Sequence, residues 1–352
     1  VIGMSGGVDS STSAYILKNL GYEVYGVTLS FNPDAKNEDF EDAIEICKKL
    51  DIPHTIIDMS KEFKEIVIDY FIQEYNNGMT PSPCIVCDEK VKFYLLNKFA
   101  KEIGAEYIAT CHYAKVEFSE KFNLSLLKIA KDERKDQSYM LYRLSNEIIP
   151  KLLFPLSNYS KDEVRTIAKE LGVKVHDKKD SQGICFAKDG YIEFLQNALK
   201  DEIKEGNFIF EDGTVIGTHK GYQLYTIGQR RGLGLTLPRA YFITDINPET
   251  NEITLGEYDE LMRDTVELVD THFNVDPELL YDLELIAKPR FSSSGLKGKL
   301  FSTENKSTNS KKYYFKYSAP TPQNAPGQHL ALYYDKFVVG GGKIVYWKNS
   351  KL

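Results

Sequence analysis

No run of about eighteen uncharged apolar residues occurs in the chain, so a membrane-spanning helix is not expected. No basic stretch leading into an apolar one opens it, so a secretory leader is not expected either. Cysteine is sparse. Cys47, Cys84, Cys87, Cys111 and Cys185 form an odd set in a large chain, which argues against a disulfide framework. It points instead to a reducing cytoplasm where any special cysteine is catalytic or metal-binding. Positive charge is in deficit, with a net charge of −7, which argues against a generally adhesive nucleic-acid binder but not against a local basic face. A repeat of fixed period is also lacking. What is present is 352 residues, 42% hydrophobic and 12% aromatic, the composition of a soluble globular protein too long for one ordinary core. Val1 reads as already inside a strand, so a few native residues are expected to precede it.

Residues 1 to about 110 alternate short apolar strands with amphipathic helices. VIGM (1–4) leads through SGGVDSS (5–11) into a helix that ends at Leu20, with Gly21 as its stop signal. VYGVTLSF (24–31), PHTIID (53–58) and EYIAT (106–110) read as strands, and 61–76 and 85–102 as helices. Such alternation predicts an α/β fold: a parallel sheet with flanking helices and ligands at the carboxyl ends of its strands. Ser160 with Glu163 predicts a capping box. Beyond about residue 200 the hairpin patterns at 207–217 and 243–257 predict a small mixed central domain, and short strands from about 268 onward an antiparallel β-barrel. The expected domains are 1–200, 201–265 and 266–352.

SGGVDSS carries the first chemistry. Two glycines allow close backbone approach to an anion, and successive amides with the helix N-terminus bind it. Ser5, Ser10 and Ser11 add hydroxyls, and Asp9 suits a magnesium ion; the lysine of a Walker loop is missing. PSPCIVCDEKVKF (81–93) carries the second, with Cys84 and Cys87 three apart. It reads as half a zinc site, a redox pair or a place where sulfur is carried. Zinc needs four ligands and no second such pair exists. Cys87 lies near a helix start, which favours a thiolate; Lys90 and Lys92 are near, but Asp88 and Glu89 are nearer and oppose them. Cys185 follows Gly183 in a loop suited to swinging. Cys47 reads as core and Cys111, beside His112, as a packed loop residue.

In its strand–loop–helix setting SGGVDSS resembles the loop of N-type ATP pyrophosphatases, which transfer AMP to a substrate oxygen. Taken with PSPCIVCDEKVKF, IATCHYAKV (108–116), KDQSYMLYRLS (135–145), KDSQGICF (179–186) and YTIGQRRGLGL (225–235), it resembles the bacterial tRNA-specific 2-thiouridylase family. The likeness runs from residue 1 to about 257, with a looser echo at 325–342. It implies an adenine nucleotide alpha hydrolase-like PP-loop fold, and ATP with Mg2+ as cofactors. The activity it implies is a tRNA-uridine 2-sulfurtransferase that adenylates O2 of the wobble uridine and then delivers sulfur. Gly3, Met4, Ser5, Gly6, Gly7, Val8, Asp9, Ser10 and Leu29 match ATP contacts, and Cys111 stands at another, where the family carries glycine. Ser82, Pro83 and Cys84 stand at the target base, Cys84 in place of an aspartate. Cys87 matches the nucleophile and Cys185 the persulfide carrier, the two joining in a disulfide as product leaves. His112, Lys135, Asp136, Gln137, Arg290, Phe291 and Gln328 match tRNA contacts. The implied partners are the anticodon stem-loop of Lys, Glu and Gln acceptor tRNAs and a sulfur donor, either a cysteine desulfurase or a relay carrier, with no membrane. Two alternatives stay open: a small-molecule amidating ligase, and the same thiolation with a [4Fe–4S] cluster on Cys84, Cys87 and Cys185. Independently of the likeness, Lys288, Arg290, Lys297, Lys299, Lys306, Lys311, Lys312 and Lys316 face only Glu304 in their stretch, with aromatics interleaved, which predicts a phosphate-contacting patch.

Overall fold

The computed structural model describes residues 1–172, 183–305 and 310–345. Two compact units emerge: Val1–Ile68 with Cys84–Asp180 and Asp335–Val339, and Asp69–Pro83 with Ser181–Tyr334 and Gly340–Leu352.

The first unit contains β1 (Ile2–Gly3), β2 (Gly26–Ser30), β3 (His54–Asp58), β4 (Ile108–Ala109), the hairpin strands β5 (Lys115–Ser119) and β6 (Leu124–Lys128), and β7 (Leu152–Leu153). The sheet order is β3-β2-β1-β4-β7, and every neighbouring pair is parallel, as the alternation predicted. The chain leaves β1 on one side and returns to it on the other as β4. The crevice at the carboxyl ends of these two strands is therefore the topological switch point where open α/β sheets hold ligands. Helix α1 (Val8–Asn19) springs from the turn after β1 and ends at Leu20 and Gly21, the latter at φ +87°. Helix α2 (Glu41–Lys49) turns Ala43, Ile46 and Cys47 inward, where they pack with Ile2, Met4 and Leu17. Burying this stripe removes those side chains from water and fixes the helix over the sheet.

Two longer helical runs each contain a π turn. The first joins α3 (Ser60–Phe63) through Lys64–Ile68 to α4 (Asp69–Asn76). The second joins α5 (Pro83–Cys87) through Asp88–Lys92 to α6 (Phe93–Glu102). Pro83 suits the opening position, where its missing N–H leaves nothing unpaired. Helix α7 (Lys161–Glu170) begins at the predicted capping box: Ser160 Oγ accepts the Glu163 N–H at 3.3 Å and Glu163 Oε2 accepts the Ser160 N–H at 2.7 Å.

In the second unit α8 (Tyr191–Leu199) packs Leu195 and Leu199 with Phe71, Phe208, Ile243 and Leu255. The sheet in this unit runs β10 (Phe242–Asn247), β11 (Glu252–Gly256), β8 (Gly206–Ile209), β9 (Val215–His219), and the β11–β8 pairing is parallel, so the sheet is mixed. The remaining strands are β12 (Arg263–Phe273), β13 (Leu285–Lys288), β14 (Leu296–Asn305), β15 (Ser310–Thr321), β16 (His329–Tyr334) and β17 (Phe337–Val345). Their order is β12-β15-β14-β13-β16-β17, and β17 pairs back on β12, closing the expected antiparallel barrel. Closure removes free sheet edges. Among the described residues no helix is long and apolar enough to cross a membrane.

Candidate active site at the carboxyl edge of the parallel sheet

The turn from β1 to α1 is made by Ser5, Gly6 and Gly7. Gly6 sits at φ +72°, and a Cβ there would lie 2.6 Å from Ala43 N and from Asp42 Cβ, so only glycine lets α2 approach the loop. Ser10 Oγ donates to Gly7 O at 3.2 Å, accepts the Ser5 N–H at 3.3 Å and shares a proton with Ser5 Oγ at 3.1 Å. Ser10, Ser11, Thr12 and Ser13 are wholly buried, and the hydroxyls of Ser11, Thr12 and Ser13 have no hydrogen-bond partner. The free amides at the start of α1 fit a phosphate group.

Asp9 is held by one cationic and one phenolic donor. Lys161 Nζ lies 2.8 Å from both carboxylate oxygens and Tyr113 OH donates to Oδ1 at 3.0 Å. Lys161 is the first residue of α7 and only 7% exposed. The loop that lacks its own lysine thus receives one from 152 positions downstream. This arrangement does not fit a resident magnesium ion at Asp9. Among the described residues, moreover, no group of three or more His, Cys, Asp or Glu side chains is placed to hold a metal.

The thiol side of the site is built on the second helical run. Cys84 lies in its first turn and is half-buried; Cys87 is one turn further in, buried, immediately before the π turn. Asp88 is 2% exposed and is held by Lys92 Nζ at 2.8 Å and by His112 Nε2 at 3.7 Å. Burial alone would raise the Asp88 carboxyl, but Lys92 and His112 outweigh it and hold it at about 2. His112 Nδ1 meets Thr110 Oγ1 at 2.8 Å and its ring stacks on Phe93 at 5.8 Å. Glu89 is paired with the buried Arg143 at 2.7 Å. Asp88 thus opposes Lys92 as their nearness in sequence suggests, while Glu89 is turned to Arg143 instead. Burial works against the Lys92 charge, but Asp88 first, then the Cys87 and Cys84 sulfurs, outweigh it and raise its proton affinity. The attraction is mutual, so Lys92 favours thiolate at these sulfurs.

Cys111, at the end of β4, joins the two halves. Burial, and after it Asp9, pushes its thiol up to about 11, while Lys92 and Lys161 pull the other way. One residue thus feels both the loop and the thiol helix. Gly3, Met4, Val8 and Leu29 occupy the strand ends and helix start around this point. Gln137 Oε1 accepts the Tyr113 N–H at 3.0 Å, bracing the residue that donates to Asp9. Asp136 is 5% exposed, and its carboxylate is taken up by Ala130 N, Ser138 N and Ser138 Oγ; Lys135 beside it is half-buried. In the second unit Ser82 Oγ meets Gln328 Oε1 at 3.4 Å, and Gln328 Nε2 donates to Thr80 O at 2.9 Å, so two residues matched to tRNA contact share one loop junction with Pro83 next to it. Arg290 and Phe291 are exposed in the turn after β13. Cys185 is exposed two residues beyond Gly183, which takes φ +92°; residues 179–182 of the same string lie outside the described residues.

Sequence reasoning missed Lys161, Tyr113 and Arg143, and it discounted Lys92. The capping box did mark the start of α7, but nothing in the spacing tied its first lysine to Asp9.

Residues 1–189 match the family described as tRNA methyl transferase HUP domain, and 192–257 the tRNA methyl transferase PRC-barrel domain. Over 344 residues the chain is 54% identical to a Fusobacterium nucleatum protein named tRNA-specific 2-thiouridylase MnmA 2, covering 98% of each. It is 42% identical over 352 residues to a Clostridium botulinum protein of the same name, covering 98% of this chain and 97% of that one. A Clostridium perfringens protein named tRNA-specific 2-thiouridylase MnmA is 42% identical over 358 residues, with the same shares covered.

Proposed function

The chain belongs to the tRNA-specific 2-thiouridylase family, and from that membership we propose that it replaces O2 of a wobble uridine with sulfur at the sheet edge described above. It is a tRNA sulfurtransferase with an ATP-using PP-loop fold. The matched family descriptions speak of methyl transfer, but a pyrophosphate-type loop serves adenylation, so the relatives' names agree better with the loop.

The chemistry follows from the leaving group. A uracil carbonyl oxygen leaves poorly until AMP is attached to it. The loop amides, the Ser5 hydroxyl and the Lys161 ammonium, which Asp9 holds in place, are the groups that hold the phosphates. The terminal sulfur of a Cys185 persulfide, loaded by a donor protein, attacks C2, and AMP leaves with the bonding pair. Cys87 thiolate, favoured by Lys92, then attacks Cys185 Sγ, which frees the thiouridine sulfur and leaves a Cys87–Cys185 disulfide for external thiol to reduce. No step is derived through magnesium or an iron–sulfur cluster.

The supporting observation is the segment after β4, where Tyr113 OH reaches Asp9 at 3.0 Å and the adjacent His112 Nε2 lies 3.7 Å from Asp88, next to Cys87. The test is thiolation by the full chain with tRNA, ATP and a persulfide donor, read as 2-thiouridine by nucleoside mass analysis. Asp9→Ala and Lys161→Met should each lower the rate roughly 100-fold, the scale of losing one oriented charge donor, with tRNA binding retained. Wild-type rates in both variants, or ATP–pyrophosphate exchange with a small acid and no tRNA, would sink the reading.

A further inference from the structure

The lysine-rich stretch of the barrel looks uniformly basic in sequence, but its strands bring acids from elsewhere. Lys311 Nζ lies 2.6 Å from Glu278, Lys312 Nζ 3.0 Å from Glu267 and Lys297 Nζ 2.6 Å from Glu284. Those carboxylates belong to β12, the turn Pro277–Leu280 and the approach to β13, all outside the window in which only Glu304 was counted. Lys288 lies over the Tyr333 ring at 5.0 Å, and Lys306 is outside the described residues.

Arg290 in the exposed turn after β13 remains, and so does the strand pair Lys299 and Lys316. These two lysines are directly opposite each other in the β14–β15 register. Both are exposed, and among the described residues neither has a carboxylate within ion-pair distance. Their neighbours Leu300 and Phe315 are 1% and 0% exposed and fill the barrel, so alternation turns the two lysines outward on one face. On the next rung Phe301 stacks on Tyr314 at 5.3 Å, which fixes the strands beside them. Directly opposed residues hold their Cβ atoms about 4.5–5.5 Å apart, and like charges so placed destabilise a sheet unless an anion lies between them.

We propose that Lys299 and Lys316 form a clasp for a backbone phosphate of tRNA, while Lys297, Lys311 and Lys312 are paired with Glu284, Glu278 and Glu267 on the barrel surface. This rests on the tRNA reading above. A phosphate offers several oxygens to two ammonium groups at once, and the substrate of the family is a polyanion.

The test compares two full-length double variants, Lys299→Gln/Lys316→Gln and Lys311→Gln/Lys312→Gln, by tRNA binding across a salt series. Each phosphate contact contributes about 0.7 to 0.9 to the log-affinity against log-salt slope. The first variant should flatten that slope by about 0.8, so the affinity lost between roughly 50 and 200 mM salt shrinks about threefold. The second should change it by less than about 0.5. Thiolation at limiting tRNA should fall in the first variant, in step with its weaker binding, and hold in the second. An unchanged slope in the first variant, or an equal flattening in the second, overturns the clasp. So does an unchanged slope with lost turnover only when the sulfur is delivered by a donor protein, since the face then serves that acidic partner. If the unaltered chain binds no tRNA at all, the proposed function falls and the clasp with it.

Discussion

Lys92 lies five positions after Cys87, behind two acids, yet it stands in the field of both Cys84 and Cys87 while holding Asp88 at 2.8 Å. Asp88 fixes the ammonium, and the ammonium acts on sulfur. Lys92→Met should therefore move the pH profile of Cys84 and Cys87 alkylation to higher pH and slow thiolation, with Lys92→Arg restoring part of both. Peptide mass analysis after timed iodoacetamide exposure reads the profile. An unmoved profile would reduce Lys92 to a structural partner of Asp88. Cys47 and Cys111, each pushed up to about 11 chiefly by burial, serve as internal references that should react last.

Helix α7 shows what an element contributes beyond its own stability. Its capping box ends the chain's approach at Ser160 and so sets where the next residue, Lys161, enters the loop site. Loss of such a cap costs about 1 kcal/mol. Ser160→Ala should show that loss in urea unfolding and also raise the KM for ATP, because a frayed first turn no longer holds Lys161 against Asp9. A lower stability with unchanged KM would separate the cap from the site. The π turn at Asp88–Lys92 belongs to the same scale, since such turns interrupt helices where function re-aims side chains.

Across the whole molecule, pH sensitivity should begin with histidine. His54 shares a proton with Thr28 Oγ1 at 2.8 Å, and His219 Nδ1 accepts the Gly221 N–H at 3.1 Å. Burial lowers the proton affinity of both, so the unfolded chain binds protons more readily than the folded one. Their contribution to stability is thus present above the ordinary histidine value of 6.5 and is lost as pH falls below it. Asp88, lowered from 3.8 to about 2, adds a second loss as pH falls through that window. Calorimetry should show Tm falling from pH 7 to 5, and His54→Asn with His219→Asn should flatten that limb; a flat wild-type Tm there would contradict it. At this scale the division between sequence and structure is also clearest. The strand–helix alternation, the loop SGGVDSS, the capping box and the barrel hairpins were legible because each is set by neighbours within a few residues, through dihedral preference, capping and periodic burial. The Asp9–Lys161 pair, the engagement of Asp88 and Glu89, and the carboxylates that neutralise Lys297, Lys311 and Lys312 were not. Each joins side chains that only sheet order and helix packing bring within 3 Å or so of one another, and the electrostatic sign of a site depends on that distance, not on separation along the chain.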